Sequence, residues 1–478
     1  MTVSEGAANE GPAIVGHGVY RPPFSAGTGR RRVTVRNGDE DAVTLAVEAA
    51  RDLFARYDRL RVEQLDGVAL AVGRPDLLDG PQPEMIREAL GMAADVPVTT
   101  SAGDALAGLA ALRAATDAVA TGRSRAVLVL AAEPGDGARV SAGAVALVVT
   151  PGNGTPSIRL LGQHGRGDVV YGNWADRDGT RHLGDGRYLE LRVADSAAHA
   201  WRAVTGVNAT ADGTTADGTT ADGTTADGTT ADGTTGGTTD GPDPDRGPDA
   251  VTGVAAVAAA RACGAGPAAV LPDHGVAGPL LALLRAVDTC GGAGRTVHML
   301  ATTAARVVAV VAHADAGAPS WRPSEVSGDD PPVPPTEPES SPPLSLPTSS
   351  PFFRRAAREL LRLEGARCTG CGHVVFPPSQ RPVCPGCGSF EFEPAPLSRT
   401  GSVYSYVVNR FLPQGFGDEM ALVLGEMDDG SRYWAPTSGM DTSGLAIGDP
   451  VELRLRRFTD HGGAPTYAMK FVAREVSA

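Results

Sequence analysis

The sequence predicts a multidomain chain: a layered α/β part, then a small metal-binding module, then an all-β barrel. Three observations predict it. Apolar segments of strand length alternate with helix-length segments from 12 to 315. Four cysteines, Cys368, Cys371, Cys384 and Cys387, form two Cys-x2-Cys pairs separated by twelve residues. After Cys387, five short strands separated by Gly/Asp/Pro turns fill 399–478.

Within the α/β part, 13–15 reads as a short strand and 39–57 as an amphipathic helix. That helix carries Val43, Ala46, Val47, Ala50, Leu53 and Phe54 on one face. Residues 68–72 read as an apolar strand, 83–90 as a helix and 105–121 as a helix of small residues. The apolar runs at 126–132 and 142–149 read as buried strands. A perfect Ala-Asp-Gly-Thr-Thr repeat then runs from 211 to 235 and fades out by 248. It holds no apolar residue larger than alanine, so it cannot offset the entropy cost of ordering. Residues 208–248 therefore read as a disordered surface insertion; a calcium-binding repeat is the alternative that Asp and Gly leave open. Beyond it the pattern recurs: helix 250–263, strand 268–271, helix 278–288, strand 307–312. A Pro-, Ser- and acid-rich stretch, 316–350, reads as an extended linker.

The metal module, 351–398, opens with an apolar/basic helix at 352–363. Its knuckles, Cys368-Thr-Gly-Cys371-Gly and Cys384-Pro-Gly-Cys387-Gly, use glycine for the tight turn that aims two sulfurs at one ion. Four thiolates suit a closed, structural, tetrahedral zinc site. Iron in a rubredoxin-like site and a pair of disulfides are the alternatives. Strands at 402–408, 421–427, 433–435, 451–456 and 467–472 predict a five-stranded OB-fold barrel.

Composition narrows the function classes. With 42 Lys+Arg against 56 Asp+Glu, a net charge of −14 and 5% aromatics, the chain lacks the basic, aromatic groove of a nucleic-acid binder. Arg454, Arg456 and Arg457 read as a solvated face of a strand. No run of eighteen apolar residues predicts a membrane span, and the first residues lack signal-peptide character. Paired knuckle thiols suit a reducing, cytoplasmic setting, with Cys263 and Cys290 as ordinary buried thiols. Few lysines amid abundant Ala, Gly, Arg, Asp and Pro point to a high-GC bacterial source.

Specific strings carry two resemblances. "RCTGCGHVVFPPSQRPVCPGCGS", "SRTGSVYSYVVNR", "LVLGEMDDGSRYW" and "IGDPVELRLRRF" follow one another across 350–478. This stretch resembles the acyl-CoA-associated, rubredoxin-like zinc-ribbon/OB-fold family, the domain of unknown function numbered thirty-five. "GDEDAVTLAVEAARDLF", "LDGVALAVG", "ALAGLAALRAATDAVATGRSRAVLVLAAE" and "SAGAVALVVT" lie within 38–150. They are similar to hydroxymethylglutaryl-CoA synthases and ketoacyl synthase III enzymes, and "GDVVYGNWADRDGTRHLGDGRYLEL" (167–191) continues the likeness. The resemblance implies a thiolase-like fold over 12–315, pairing as a homodimer through the strand and helix that follow the nucleophile loop.

It also implies chemistry that this sequence lacks. The family's cysteine nucleophile stands at the N-terminus of a buried helix, where amides and the macrodipole lower its pKa. Gly108, Ala110-Ala-Leu112 and Gly122 place that position at Ala105. Ser101 could reach it only through a one-turn misalignment and reads as a helix cap, with Asp104 close by. The family's glutamate is met by Arg74-Pro75, and its histidine by 249–254, which holds none. Its Gly-Asn is met by Asp273-His274-Gly275, with His274 read as a solvated loop residue. The expectation is a catalytically degenerate thiolase-fold subunit that binds an acyl-CoA thioester or scaffolds a partner thiolase or synthase, as a homodimer or hetero-oligomer. The alternatives are an active acyltransferase or carbon–carbon bond-forming or -cleaving enzyme acting on acyl-CoA, and a zinc-ribbon binding protein unrelated to CoA.

Overall fold

A computed structural model describes residues 11–27, 32–73, 82–137, 139–152, 156–168, 173–176, 179–182, 186–205, 247–253, 255–289, 294–321, 357–412, 419–461 and 464–474. The pentapeptide repeat, the core of the linker, Arg74-Pro75 and Cys290 lie outside these residues.

The first half begins with β1 (Pro12–Tyr20) and the small hairpin β2 (Phe24–Ala26) and β3 (Val33–Val35). Next come α1 (Ala42–Arg56), β4 (Gly67–Val72), α2 (Gln82–Ala89) and β5 (Val98–Ala102). It closes with α3 (Ala107–Ala120), β6 (Val127–Glu133) and β7 (Gly143–Pro151). The second half holds β8 (Ile158–Gly167), the hairpin β9 (Asn173–Asp176) and β10 (Gly179–His182), and α4 (Gly186–Thr205). Then follow β11 (Ala250–Gly253), α5 (Ala256–Ala262), α6 (Gly278–Thr289), β12 (Arg295–Thr302) and β13 (Arg306–Ala314).

The two halves repeat one pattern. Strands are hydrogen-bonded in the order β11-β12-β13-β8-β1-β7-β6-β4-β5. In the first half β4 is parallel to β6, which is antiparallel to β7, and β7 to β1. In the second half β11 is parallel to β12, which is antiparallel to β13, and β13 to β8. A parallel bridge from Val251 to Val270 stands where β5 stands in the first half.

Side-chain parity turns this sheet into layers. Leu128, Leu130 and Ala146 face α1, whereas Val127, Val129, Ala131 and Leu147 face the central helices α3 and α6. Met299 and Ala312 meet those same helices from the second half, while Leu300 and Ala309 face α4 and α5. Helices therefore alternate with sheet in five layers, the thiolase-like arrangement that the sequence predicts. The small residues of α3 let it share the middle layer with the leucine-rich α6.

Several segments differ from the sequence reading. The expected helix at 250–263 begins as β11, because Val251 and Thr252 pair beside β12; the chain turns at Ala255, φ +54°, before α5. Residues 268–271 form a short 3-10 turn and one bridge instead of a strand. Strands β5, β8 and β12 escaped notice because polar or glycine residues interrupt their apolar pattern.

The described C-terminal part opens on a π-helical turn, Arg358–Arg362, inside the helix expected over 352–363, whose residues before 357 lie outside the described ones. The strands β14 (Glu364–Cys368), β15 (Val374–Val375) and β16 (Phe392–Pro396) make the ribbon. The barrel is β17 (Thr400–Asn409), β18 (Met420–Met427), β19 (Arg432–Pro436), β20 (Pro450–His461) and β21 (Ala464–Ala473). Its strands run β19-β18-β17-β20-β21, and a parallel bridge from Thr437 to Phe471 joins the two ends. This closure is the OB-fold order.

The barrel is fastened to α1. Ala42 through Ala50 are buried on every face of that helix, one side against the sheet and the other against β20 and β21. Asp41 caps the helix: one carboxylate oxygen accepts from the Thr44 amide at 3.0 Å, the other from the Tyr467 hydroxyl at 2.6 Å. Lys470 Nζ lies 2.8 Å from Asp39, and Arg456 lies 2.9 Å from Glu40 and donates to Tyr20 at 3.1 Å. Ser438 bridges Asn37 and Asp39, both at 3.0 Å. Arg456 is 3% exposed, so the solvated arginine face expected on this strand is corrected: its middle member is sealed between the two parts.

Burial opposes ionisation of Glu48, but Arg51, Arg456, Arg454 and Arg399 outweigh it and hold its carboxyl below the usual range. A folded-state pKa below the unfolded one stabilises at pH above the unfolded value and is lost as pH falls through the folded one. Stability should therefore decline on acidification below about pH 4.3, the ordinary glutamate value. Replacing Arg456 with alanine strands Glu40 and Asp39 in a dry interface. Urea unfolding of Arg456→Ala is expected to show a loss of roughly 3–5 kcal/mol; a loss below about 1 kcal/mol, the range of an exposed pair, would contradict the burial argument.

Candidate functional site: the ribbon and the start of the central helix

In the ribbon, two knuckles repeat one backbone geometry. Gly372 N–H donates to the Cys368 carbonyl and Gly388 N–H to the Cys384 carbonyl, each at 2.9 Å. Gly372 and Gly388 both have φ +75°, a left-handed conformation that suits glycine. The knuckles face each other: Cys368 and Cys387 sulfurs are 3.5 Å apart, as are those of Cys371 and Cys384. All four sulfurs lie within 4.8 Å of one another, which suits a single tetrahedral ion and none of the geometry of two disulfides. Cys368 and Cys384 are buried, while Cys371 and Cys387 reach the surface. Desolvation raises the Cys368 thiol, but the amides of Cys371 and Gly370 outweigh it and bring it down to about 6.

The second candidate is the N-terminus of α3. Ala105 is half-buried immediately before that helix. Its neighbour Gly108 packs so closely on the turn at Gly275–Ala277 that a Cβ there would lie 2.2 Å from the Val276 carbonyl oxygen. Ala105 therefore lies close to where the two halves meet. Asp104 Oδ1 accepts from the Leu106 amide at 3.0 Å, and its Oδ2 lies 2.6 Å from Arg306 of the second half. Ser101, read as a cap, belongs instead to β5; Asp104 is the residue that receives the helix amide.

Around the Gly275–Ala277 turn lies a polar cluster. His274 is 8% exposed, which corrects its reading as a solvated loop residue. Burial and then Arg21 push its imidazole down to about 4, so it is neutral at neutral pH. Glu133, at the end of β6, accepts from the amides of Gly135 at 3.1 Å and Val276 at 3.4 Å; burial lifts its carboxyl above the usual range. Asp273 accepts from the Gly275 amide at 2.8 Å. Sequence reading passed over Glu133, although a carboxylate ending an otherwise apolar strand was a visible signal. Neutral His274 and the Glu133 carboxyl could exchange protons with a ligand. Asp249 and the whole of β11, Ala250–Gly253, hold no histidine. Cys263 ends α5 in an outer layer, buried, with its thiol pushed up to about 12 by that burial.

Comparison with known proteins bears on the C-terminal part first. The family model for the ChsH2 rubredoxin-like zinc ribbon domain matches residues 355–393. A DUF35 domain-containing scaffold protein of Methanocaldococcus jannaschii is 35% identical over 122 residues, covering 24% of this chain and 85% of that protein. The chain belongs to the DUF35 domain-containing family. The benzoylsuccinyl-CoA thiolase subunit BbsA of Thauera aromatica is also similar, 33% identical over 110 residues, covering 23% of this chain and 74% of BbsA. Among solved structures, 3-oxoacyl-[acyl-carrier-protein] synthase III of Aquifex aeolicus aligns over 63% of this chain and all of its own, at 18% identity and TM-score 0.49. The ribbon of this DUF35 module is a structural zinc site. No helix among the described residues is long and apolar enough to cross a membrane.

Elemental analysis of freshly purified protein is expected to give one zinc per chain. Chelation should unfold the ribbon, because binding free energy in such a site is folding free energy. Protein free of zinc and iron with an intact ribbon would contradict this.

Proposed function

We propose that this chain is a thiolase-type, acyl-CoA-handling subunit without the condensing chemistry of that fold. In this reading it binds an acyl-CoA thioester or scaffolds a partner thiolase or synthase. Its divisions are 12–315, the linker 316–350, the ribbon 351–398 held by zinc on Cys368, Cys371, Cys384 and Cys387, and the OB-fold 399–478. One observation carries the reading: the N-terminus of α3 holds Ala105, with a carboxylate, Asp104, on the helix amides. A Claisen-type step needs a thiolate there, and a neighbouring carboxylate competes for the same amides and the same end of the macrodipole. The relatives support a partner role, since two of them are a scaffold protein and a thiolase subunit by name.

The edge of the sheet supports pairing of two copies. β5 is an outermost strand with Thr99, Thr100 and Ala102 exposed, and Ala110, Arg113 and Ala114 form an open face on α3. An unpaired edge beside an open helix face is suited to antiparallel pairing with its own copy.

Intact-mass analysis after incubation with labelled acetyl-CoA is expected to show no acyl adduct on the native chain. Ala105→Cys should become alkylated by iodoacetamide faster than Cys263, whose thiol burial keeps protonated. A stable acyl adduct on the unmodified chain would overturn the degenerate reading and favour an active acyltransferase.

A further inference from the structure

A cleft of about 920 Å³ opens between α1 and α2 on one side and the ribbon and barrel on the other. Arginines converge on it: Arg51 from α1, Arg362 before the ribbon, Arg399 before β17 and Arg454 on β20. Most are already neutralised. Arg51 pairs with Glu48 at 2.7 Å, Arg362 with Glu88 at 2.9 Å and Arg454 with Glu452 at 3.0 Å. Asp52 is engaged with Arg56 at 2.7 Å and Glu364 with Arg358 at 3.5 Å, while Glu63 lines the cleft on the α1 side.

Arg399 is the exception. Among the described residues no carboxylate lies within 4 Å of it; its guanidinium donates only to the Arg362 carbonyl at 3.3 Å and the Met469 sulfur at 3.4 Å. Neutral acceptors leave most of its fork of donors unused, and the carboxylates that act on it, Glu48 and Glu452, do so without direct contact. Removal from water, and then the nearby Arg51, bring its pKa down to about 9, as expected of a cation short of a counter-ion. A planar guanidinium at the wall of a cleft, beside a second cation, presents the geometry that a phosphate oxygen pair accepts.

We propose that this interdomain cleft is an anion site in which Arg399, with Arg51 and Arg454 behind it, binds a phosphate group. The phosphate can be free or part of a nucleotide; both present the same oxygens to Arg399. The inference does not depend on the acyl-CoA reading, since it rests on charge balance in the cleft and would hold for a chain of any activity. It does depend on the barrel staying docked on α1, because each wall belongs to a different part of the chain.

The full chain, titrated calorimetrically with inorganic phosphate and separately with adenosine 3′,5′-bisphosphate, provides the test. Binding is expected for at least one probe. Equal affinities would identify a simple phosphate site, and much tighter bisphosphate binding a nucleotide site. Arg399→Gln should weaken binding about tenfold or more, as loss of a charge-assisted pair would. Arg410→Gln, an exposed arginine away from the cleft, should leave it unchanged. Should Arg399→Gln fail to fold, the native protein still decides the matter: phosphate should protect Arg399 from phenylglyoxal, read by peptide mass. No binding of either probe, unaltered binding in folded Arg399→Gln, or no protection of Arg399 would overturn the proposal.

Discussion

The rest of this structure depends on a buried seam of opposite charges. Asp39, Glu40 and Asp41 lead into α1 and Glu48 lies two turns within it, all almost wholly out of water. Without the barrel, this acidic surface would face solvent; with it, Arg456, Lys470 and Tyr467 meet the acids one by one. Such buried pairs contribute little net stability, because desolvation consumes most of the Coulomb gain, yet a mismatched docking would leave charges bare at large cost. The seam therefore specifies one orientation more than it adds strength. Asp41 shows the economy of the arrangement, since one carboxylate both starts the helix and receives Tyr467 from β21.

That fixed orientation has two consequences. It creates the arginine-lined cleft, whose opposite walls come from α1 and from the ribbon and barrel. It also commits one face of the barrel to this chain's own α1. The open surfaces relevant to association are then the β5 edge and the far side of the barrel, where Tyr404, stacked under Arg432, and Trp434 are exposed. The α3 terminus, with Ala105 before it, sits in the middle layer, away from the seam. Fold and reactivity are physically independent there, because packing reads volume and parity whereas chemistry reads a single atom.

Much of this was legible in the sequence, for identifiable reasons. The zinc knuckles were plain because four cysteines at fixed spacing admit few geometries, and the sulfurs do converge. Fully apolar strands such as β6 and β7 declared themselves. β5 and β8 did not, since Thr-Thr-Ser and Gly-Gln-His-Gly-Arg look like loops until a neighbour supplies the ladder. The helix expected over 250–263 failed because alanine runs mask the β-branched Val251 and Thr252. His274 and Arg456 were both assigned to solvent, and both are buried, since local sequence carries no sign of a partner hundreds of residues away. Ala105 was singled out from its surrounding small residues, and it stands just before α3, one turn from the contact of Gly108 with the Gly275–Ala277 turn.

The most direct test of this account is whether the two parts remain one body when the chain between them is cut. A protease site placed within the linker at 322–350 would allow cleavage after folding, followed by size-exclusion chromatography at moderate salt. The buried seam predicts that the thiolase-like fragment and the DUF35 fragment elute together, and that they separate when Arg456 and Lys470 are both replaced by alanine. Fragments of the otherwise unaltered protein that separate on cutting would show that the linker alone holds them, and would contradict the account.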